Sequence, residues 1–410
     1  MSPNPLTVSL HFPSSNSMDT VRRTASTRGV NRGRKAVFAC LLALALACLM
    51  LPAAASAHQG GMHHGKGKKA KGHKHKAKGQ KRRAIPPRPT YWGAWMDDRF
   101  TGEKPPWDMT PVSQLAQMVG KGLSLVEFAA PFYDCGYSPC RPLHFPTAEM
   151  EAIRNYGAIP VFGWGSNSIP VPEVPAQPDF ELADVVAGNY DSYIREFAED
   201  ARDWGYGFFL RFNWEMNGNW FPWGSTVNGA QPGDYVAAWR HVHDIFTSVG
   251  ATNATWVWCP YADVDRKLAS LGELYPGDSY VDWTCLSGFN WAKNATNPHP
   301  WRTFDEIFKS SYLEITRHIA PKKPMMLAEI ASTGANKKKA AWIRDMFKQL
   351  AAKYRRIRAL IWFDQVDRGI DWPLETSPAA MHAFGKGVRH WAFKSNGYAA
   401  SSASPVLPPR

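Results

Sequence analysis

Eight short apolar runs, separated by segments of helical length, set the frame for most of this chain. The runs are Tyr91–Trp95, Ser124–Phe128, Ile159–Trp164, Phe208–Asn213, Thr255–Cys259, Trp283–Phe289, Met325–Ile330 and Ala359–Phe363. Stretches such as Tyr190–Trp204, Gly233–Val249, Thr303–Ile319, Lys337–Lys353 and Ala379–Trp391 lie between them and read as helices. Runs that are apolar throughout, rather than at alternate positions, suit parallel strands covered on both faces. Eight strand–helix pairs over about 300 residues predict an α/β fold, a (β/α)8 TIM barrel with its active groups at the C-terminal ends of the strands. A single barrel domain over residues 90–393 follows, with no solenoid repeat and no second domain.

The residues before the barrel have a different character. Six Lys/Arg precede the apolar run Ala36–Leu51, and Ala55-Ser56-Ala57 follows it. That order predicts a secretory signal peptide over 1–57, cut after Ala57. The run is short for a bilayer span, so no membrane anchor is expected after cleavage. Residues 58–89 are dominated by Gly, Lys and His and cannot bury a core, which predicts a disordered linker. Its ten Lys/Arg between Lys66 and Arg83, with no acid among them, suit contact with anionic cell-wall polymers. His58, His63, His64, His73 and His75 offer only weak copper or nickel ligands, and no cofactor is expected. Residues 394–410, rich in Ser, Ala and Pro, are expected to form a flexible tail.

Charge is split unevenly. Residues 1–89 hold 17 of the 48 Lys/Arg and one of the 35 acids, leaving 31 against 34 in the remainder, a net of −3. A mildly acidic folded part argues against a nucleic-acid site. Six cysteines reduce to four once Cys40 and Cys48 leave with the signal. In an exported chain these read as disulfides, Cys135–Cys140 within one loop and Cys259–Cys285 between consecutive strands, the second depending on side-chain direction.

The fourth run leads into the most informative stretch, Arg211-x-x-x-Glu215-Met216-Asn217-Gly218-x-Trp220-x-x-Trp223. A carboxyl group at a strand end beside tryptophans, in a chain with 18 Trp, suits a site that packs and cleaves sugar rings. Hydrolysis with retention needs a second carboxyl about 5–5.5 Å away. Glu329, after the apolar Met325–Ala328 of the seventh run, supplies one across the barrel from the fourth. Glu215 and Glu329 are therefore the candidate catalytic pair. Arg211, Trp214, Asn217, Trp220, Trp223, Asn290, Trp291 and Trp362 are candidate substrate contacts. Asn219, Trp92, Trp95, Trp164, Trp258, Asp97, Asp98 and Glu127 are weaker candidates.

The Arg211–Trp223 pattern resembles the acid/base strand of glycoside hydrolase family 26, a retaining, β-mannanase-like family of clan A barrels. The resemblance runs from about Tyr91 to His390. It implies an acid/base role for Glu215, a nucleophile role for Glu329, and for Trp362 the floor of the subsite where the bond breaks. Three positions depart from the pattern. Trp214 stands where mannanases carry His, Ser287 where relatives carry Asp, and Phe289 where relatives carry a Tyr that orients the nucleophile. The expectation is a secreted, monomeric endo-β-glycanase acting on β-mannan or mixed-linkage β-glucan by a two-glutamate double displacement. A barrel that binds polysaccharide or cell wall without cleaving it is the alternative.

Overall fold

A computed structural model describes residues 88–170, 176–262, 270–292, 300–334, 337–367, 369–402 and 404–410. The proposed signal peptide and almost all of the basic linker lie outside these residues. The eight barrel strands are β1 (Tyr91–Met96), β2 (Leu125–Asp134), β3 (Ile159–Ile169), β4 (Phe208–Phe212), β5 (Ala254–Trp258), β6 (Trp283–Asn290), β7 (Met325–Ser332) and β8 (Ile357–Asp364). Each pairs in parallel with the next, and β8 pairs with β1 to close the barrel. All eight expected runs are strands, most of them a few residues longer than apolarity alone marks. β3 runs on through Gly165-Ser166-Asn167-Ser168, polar residues that are nonetheless buried.

Helices α1 (Thr110–Val119), α2 (Thr147–Tyr156), α3 (Leu182–Val186), α4 (Asp191–Trp204), α5 (Asp234–Ser248), α6 (Phe304–Glu314), α7 (Lys339–Ala352) and α8 (Pro378–Val388) flank the strands. Each buries one stripe. In α4 the spacing of Tyr193, Ile194, Phe197, Ala198 and Ala201 places all five on the buried face. Phe197 stacks on Trp164 of β3 at 4.1 Å between ring centroids. The ends follow local chemistry. Thr303 and Glu306 form a reciprocal capping box at α6, and the Ser377 hydroxyl accepts from Ala380 N ahead of Pro378 at α8.

The C-terminal segment packs under the barrel. Val406 is buried, its amide donates to Thr255 Oγ1 at 2.8 Å, and its carbonyl accepts from Trp283 Nε1 at 2.7 Å. The Leu407 carbonyl accepts from Tyr91 O–H at 3.0 Å. These contacts fall at the starts of β1, β5 and β6, at the end of the barrel opposite Glu215 and Glu329. The tail's Ser/Ala/Pro composition gives no sign of this docking.

Candidate active site

β4 ends in a sharp reversal. Asn213 (φ 43°) and Glu215 (φ 55°) both adopt left-handed backbone, a conformation that Asn tolerates better than most residues. Asn213 is pinned on both sides of its amide: Oδ1 accepts from Ser166 N and Nδ2 donates to Ser166 Oγ, each at 2.8 Å. Glu215 N then donates to the Cys259 carbonyl at 2.7 Å, which fixes the turn against the end of β5. The Glu215 carboxyl is consequently held at both oxygens. Ser287 Oγ on β6 donates to Oε1 at 2.6 Å, and Trp220 Nε1 donates to Oε2 at 2.8 Å.

Glu329 comes from β7. Its Oε1 accepts from Arg211 Nη1 at 2.6 Å, and Arg211 Nη2 donates to the neighbouring Ala328 carbonyl at 2.7 Å. Arg211 Nη1 also bonds the Glu127 carboxylate from β2. Beside this group Cys259 and Cys285 form a disulfide between the end of β5 and β6, with both sulfurs packed on the Ala328 carbonyl. The second disulfide, Cys135–Cys140, closes the loop after β2.

The environments of the two candidate catalytic groups differ. Burial, and next the charge of Glu329, push the Glu215 carboxyl up to about 7, while Ser287, Trp220 and Arg211 pull the other way. Glu215 therefore holds its proton well above the usual carboxylate range. Burial also raises Glu329, but Arg211 opposes this with a direct ion pair. The two carboxyls therefore sit in electrostatically different surroundings.

The sequence profile of glycosyl hydrolase family 26 matches residues 185–350, the span that contains both groups. Endoglucanase H of Acetivibrio thermocellus is 32% identical over 244 residues, 58% of this chain and 25% of that protein. A mannan endo-1,4-beta-mannosidase of Bacillus subtilis is 29% identical over 125 residues, 29% of each chain. The GH26 beta-mannanase of Bacteroides ovatus superposes with a TM-score of 0.52 at 14% identity, covering 76% of this chain and 91% of that one. The chain is similar to glycoside hydrolase family 26 over these central 166 residues. It spans only about a quarter of the length of the first two relatives.

Within this barrel six of the eight expected substrate contacts separate into three groups. Trp220 and Trp291 are partly exposed, and Trp291 Nε1 donates to Tyr261 O–H at 3.1 Å. With Tyr261, which lies 5.2 Å from the Trp220 ring, they form a partly exposed aromatic cluster. A second group is buried close by. Trp214 meets Phe221 edge-on and Trp223 at a tilt, and Trp223 Nε1 donates to the Trp214 carbonyl. Their proximity to β3 depends on glycine. A Cβ on Gly163 would fall 3.2 Å from Trp214, and one on Gly165 only 2.5 Å from Trp223. Asn217 bonds both the amide and the carbonyl of Tyr261, and Asn290 bonds Ser332 Oγ and Arg302 N, so both act as loop ties.

Two expectations need correction. Trp362 is fully buried and packs outward against Trp342 of α7 and Phe384 of α8, because the strand's alternation turns Phe363, not Trp362, toward Trp95 and Phe289. It does not floor a subsite. Arg211 is equally sealed and touches carboxylates, not sugar. Among the weaker candidates, Trp92, Trp164 and Trp258 are core residues, and Glu127 is wholly buried below the site.

Sequence reasoning missed two features. Ser287, a departure from the family pattern, is the hydroxyl that holds Glu215. At the mouth, Arg99 ties together Asp97, Asp364 and Glu375 from the ends of β1 and β8 and the loop beyond. Asp364 also accepts from Leu374 N at 2.8 Å, so it is committed to this cluster. Among the described residues no group of three His, Cys, Asp or Glu side chains is placed to hold a metal ion, and no helix is long and apolar enough to cross a membrane.

Proposed function

We propose that this protein is an endo-β-glycanase that cleaves its polysaccharide with retention. Glu215 protonates the departing oxygen while Glu329 attacks the anomeric carbon, and Glu215 then takes a proton from the water that attacks the same carbon, freeing the sugar and the Glu329 carboxylate. The observation that carries this reading is the pair of opposed environments: a carboxyl held near pH 7 by burial on β4, and one ion-paired to Arg211 on β7. Trp220, Trp291 and Tyr261 provide apolar faces for pyranose rings.

β-Glucan is the favoured substrate and β-mannan the next. Trp214 stands where mannanases carry His, and the similarity to Endoglucanase H extends over 244 residues against 125 for the mannosidase. Export rests on the predicted signal peptide, and the two disulfides suit an oxidising compartment. The basic tract Lys66–Arg83 is proposed to hold the enzyme on anionic wall polymers. Phe289, which offers no hydroxyl to the site, favours a second reading as a binding protein. A reducing-sugar assay on barley-type glucan, mannan, xylan and carboxymethyl cellulose, with Glu329→Ala as control, decides. Release of new ends by the wild type alone is expected, and no release on any of the four would leave the binding reading.

A further inference from the structure

This inference rests on the glycosidase reading and concerns Glu127, a group that reading leaves without a task. Three carboxyl groups and one guanidinium occupy the sealed centre of the barrel mouth. Glu127 lies on β2, where its lateral partners are Trp95 of β1 and Val161 of β3, neither titratable. The charged groups facing it are Arg211 from β4 and Glu329 from β7. The Glu127 and Arg211 side chains have no solvent contact, whereas that of Glu329 is 5% exposed.

Arg211 Nη1 bonds Oε1 of both carboxyl groups, so their oxygens converge on one nitrogen. Arg211 Nη2 is turned to the Ala328 carbonyl. Glu127 Oε2 receives no donor, and the Glu127 and Glu329 carboxyl groups lie within hydrogen-bonding reach of each other. One guanidinium balances one carboxylate. A second ionised carboxylate would leave an unpaired charge out of water, and like charges this close keep a proton between them. A nucleophile must be ionised to attack, and Glu329 is the one that touches the cleft. We infer that Glu127 is a positioning residue held as the neutral acid: it shares Arg211 with Glu329 and donates its carboxyl proton to it in a hydrogen bond, keeping that carboxylate charged and aimed. Burial works in the same direction, pushing Glu127 up to about 8.

The test pairs two variants with a spectrum. Glu127→Gln preserves a neutral donor of the same shape, so kcat on the best glycan should stay within about fivefold of wild type with an unmoved acid limb. Glu127→Ala should lose about 100-fold in kcat with little change in KM. If Gln is as damaging as Ala, or if it moves the acid limb, Glu127 acts as a charge and the inference falls. Equal activity of all three proteins would overturn it as well. Infrared spectra of wild-type protein labelled with 13C-carboxyl glutamate give a reading independent of turnover. At pH 6 they should show two buried protonated glutamates, Glu215 and Glu127, and the second should disappear in Glu127→Gln. A wild-type spectrum with no protonated glutamate, or with a single one that disappears in Glu215→Gln, refutes the inference even if neither Glu127 variant folds. Absence of wild-type turnover with two such signals would instead overturn the glycosidase reading and leave the protonation state established.

Discussion

Glu215→Gln should make the protein more stable, and by an amount that depends on pH. The folded-state carboxyl titrates near 7 against 4.5 for an ordinary glutamate, and it is completely buried. Below pH 4.5 the group is protonated whether the chain is folded or not, so its titration has no effect. Between 4.5 and 7 the unfolded chain ionises while the folded one holds its proton, and stability falls as pH rises. Above 7 the loss is complete. Two and a half units at about 1.4 kcal/mol each give roughly 3 kcal/mol, an upper figure for so tightly packed a group. Gln keeps partners for Trp220 and Ser287 but cannot ionise, so constant effects of the swap cancel when two pH values are compared. For a barrel of about 300 residues, 3 kcal/mol corresponds to roughly 4–5 °C in Tm. Thermal melts of both proteins at pH 4 and pH 8.5 measure this. The Tm of the variant minus that of wild type should be larger at pH 8.5 by several degrees. An unchanged difference would mean that Glu215 titrates as a normal surface carboxyl, and the argument for its role as an acid would fail.

Three further outcomes are expected. Glu329→Ala should lose at least about four orders of magnitude in turnover while the fold persists, and azide should partly restore it as an inverted glycosyl azide, seen by NMR. Ser287→Ala removes a donor that favours ionised Glu215, so the alkaline limb of kcat/KM, expected near pH 7, should move to higher pH, with about a tenfold loss in kcat at pH 6. Deleting residues 58–85 should leave turnover on soluble glycan unchanged but abolish salt-sensitive retention on anionic wall material, because the screening length shrinks from about 10 Å at 0.1 M salt to about 3 Å at 1 M. Equal retention of both proteins at low salt would end the tether proposal.

The barrel was legible because parallel strands covered on both faces must be apolar throughout, and eight such runs leave few other arrangements. The candidate pair was legible for a related reason. Glu215 follows the fourth mostly apolar run and Glu329 lies in the C-terminal half of the seventh. What faces what was less legible. Trp362 differs from Phe363 by one residue, and one residue is the difference between the helix side and the barrel interior. Ser287 and Glu127 carry no local signal, since their partners Glu215, Arg211 and Glu329 are 72, 84 and 202 positions away in the chain. The docked tail escaped notice because backbone carbonyls, supplied by any residue, make most of its contacts.

The central claim is that Glu329 forms the covalent intermediate while Glu215 handles the proton. A 2-deoxy-2-fluoro glycosyl fluoride built on whichever glycan proves active slows the second step and lets that intermediate accumulate. Peptide mass mapping of the inactivated protein should then find one sugar on the peptide carrying Glu329, with the label absent from Glu329→Ala. A label on any other carboxylate, or rapid turnover of the wild type with no label at all, would contradict the account.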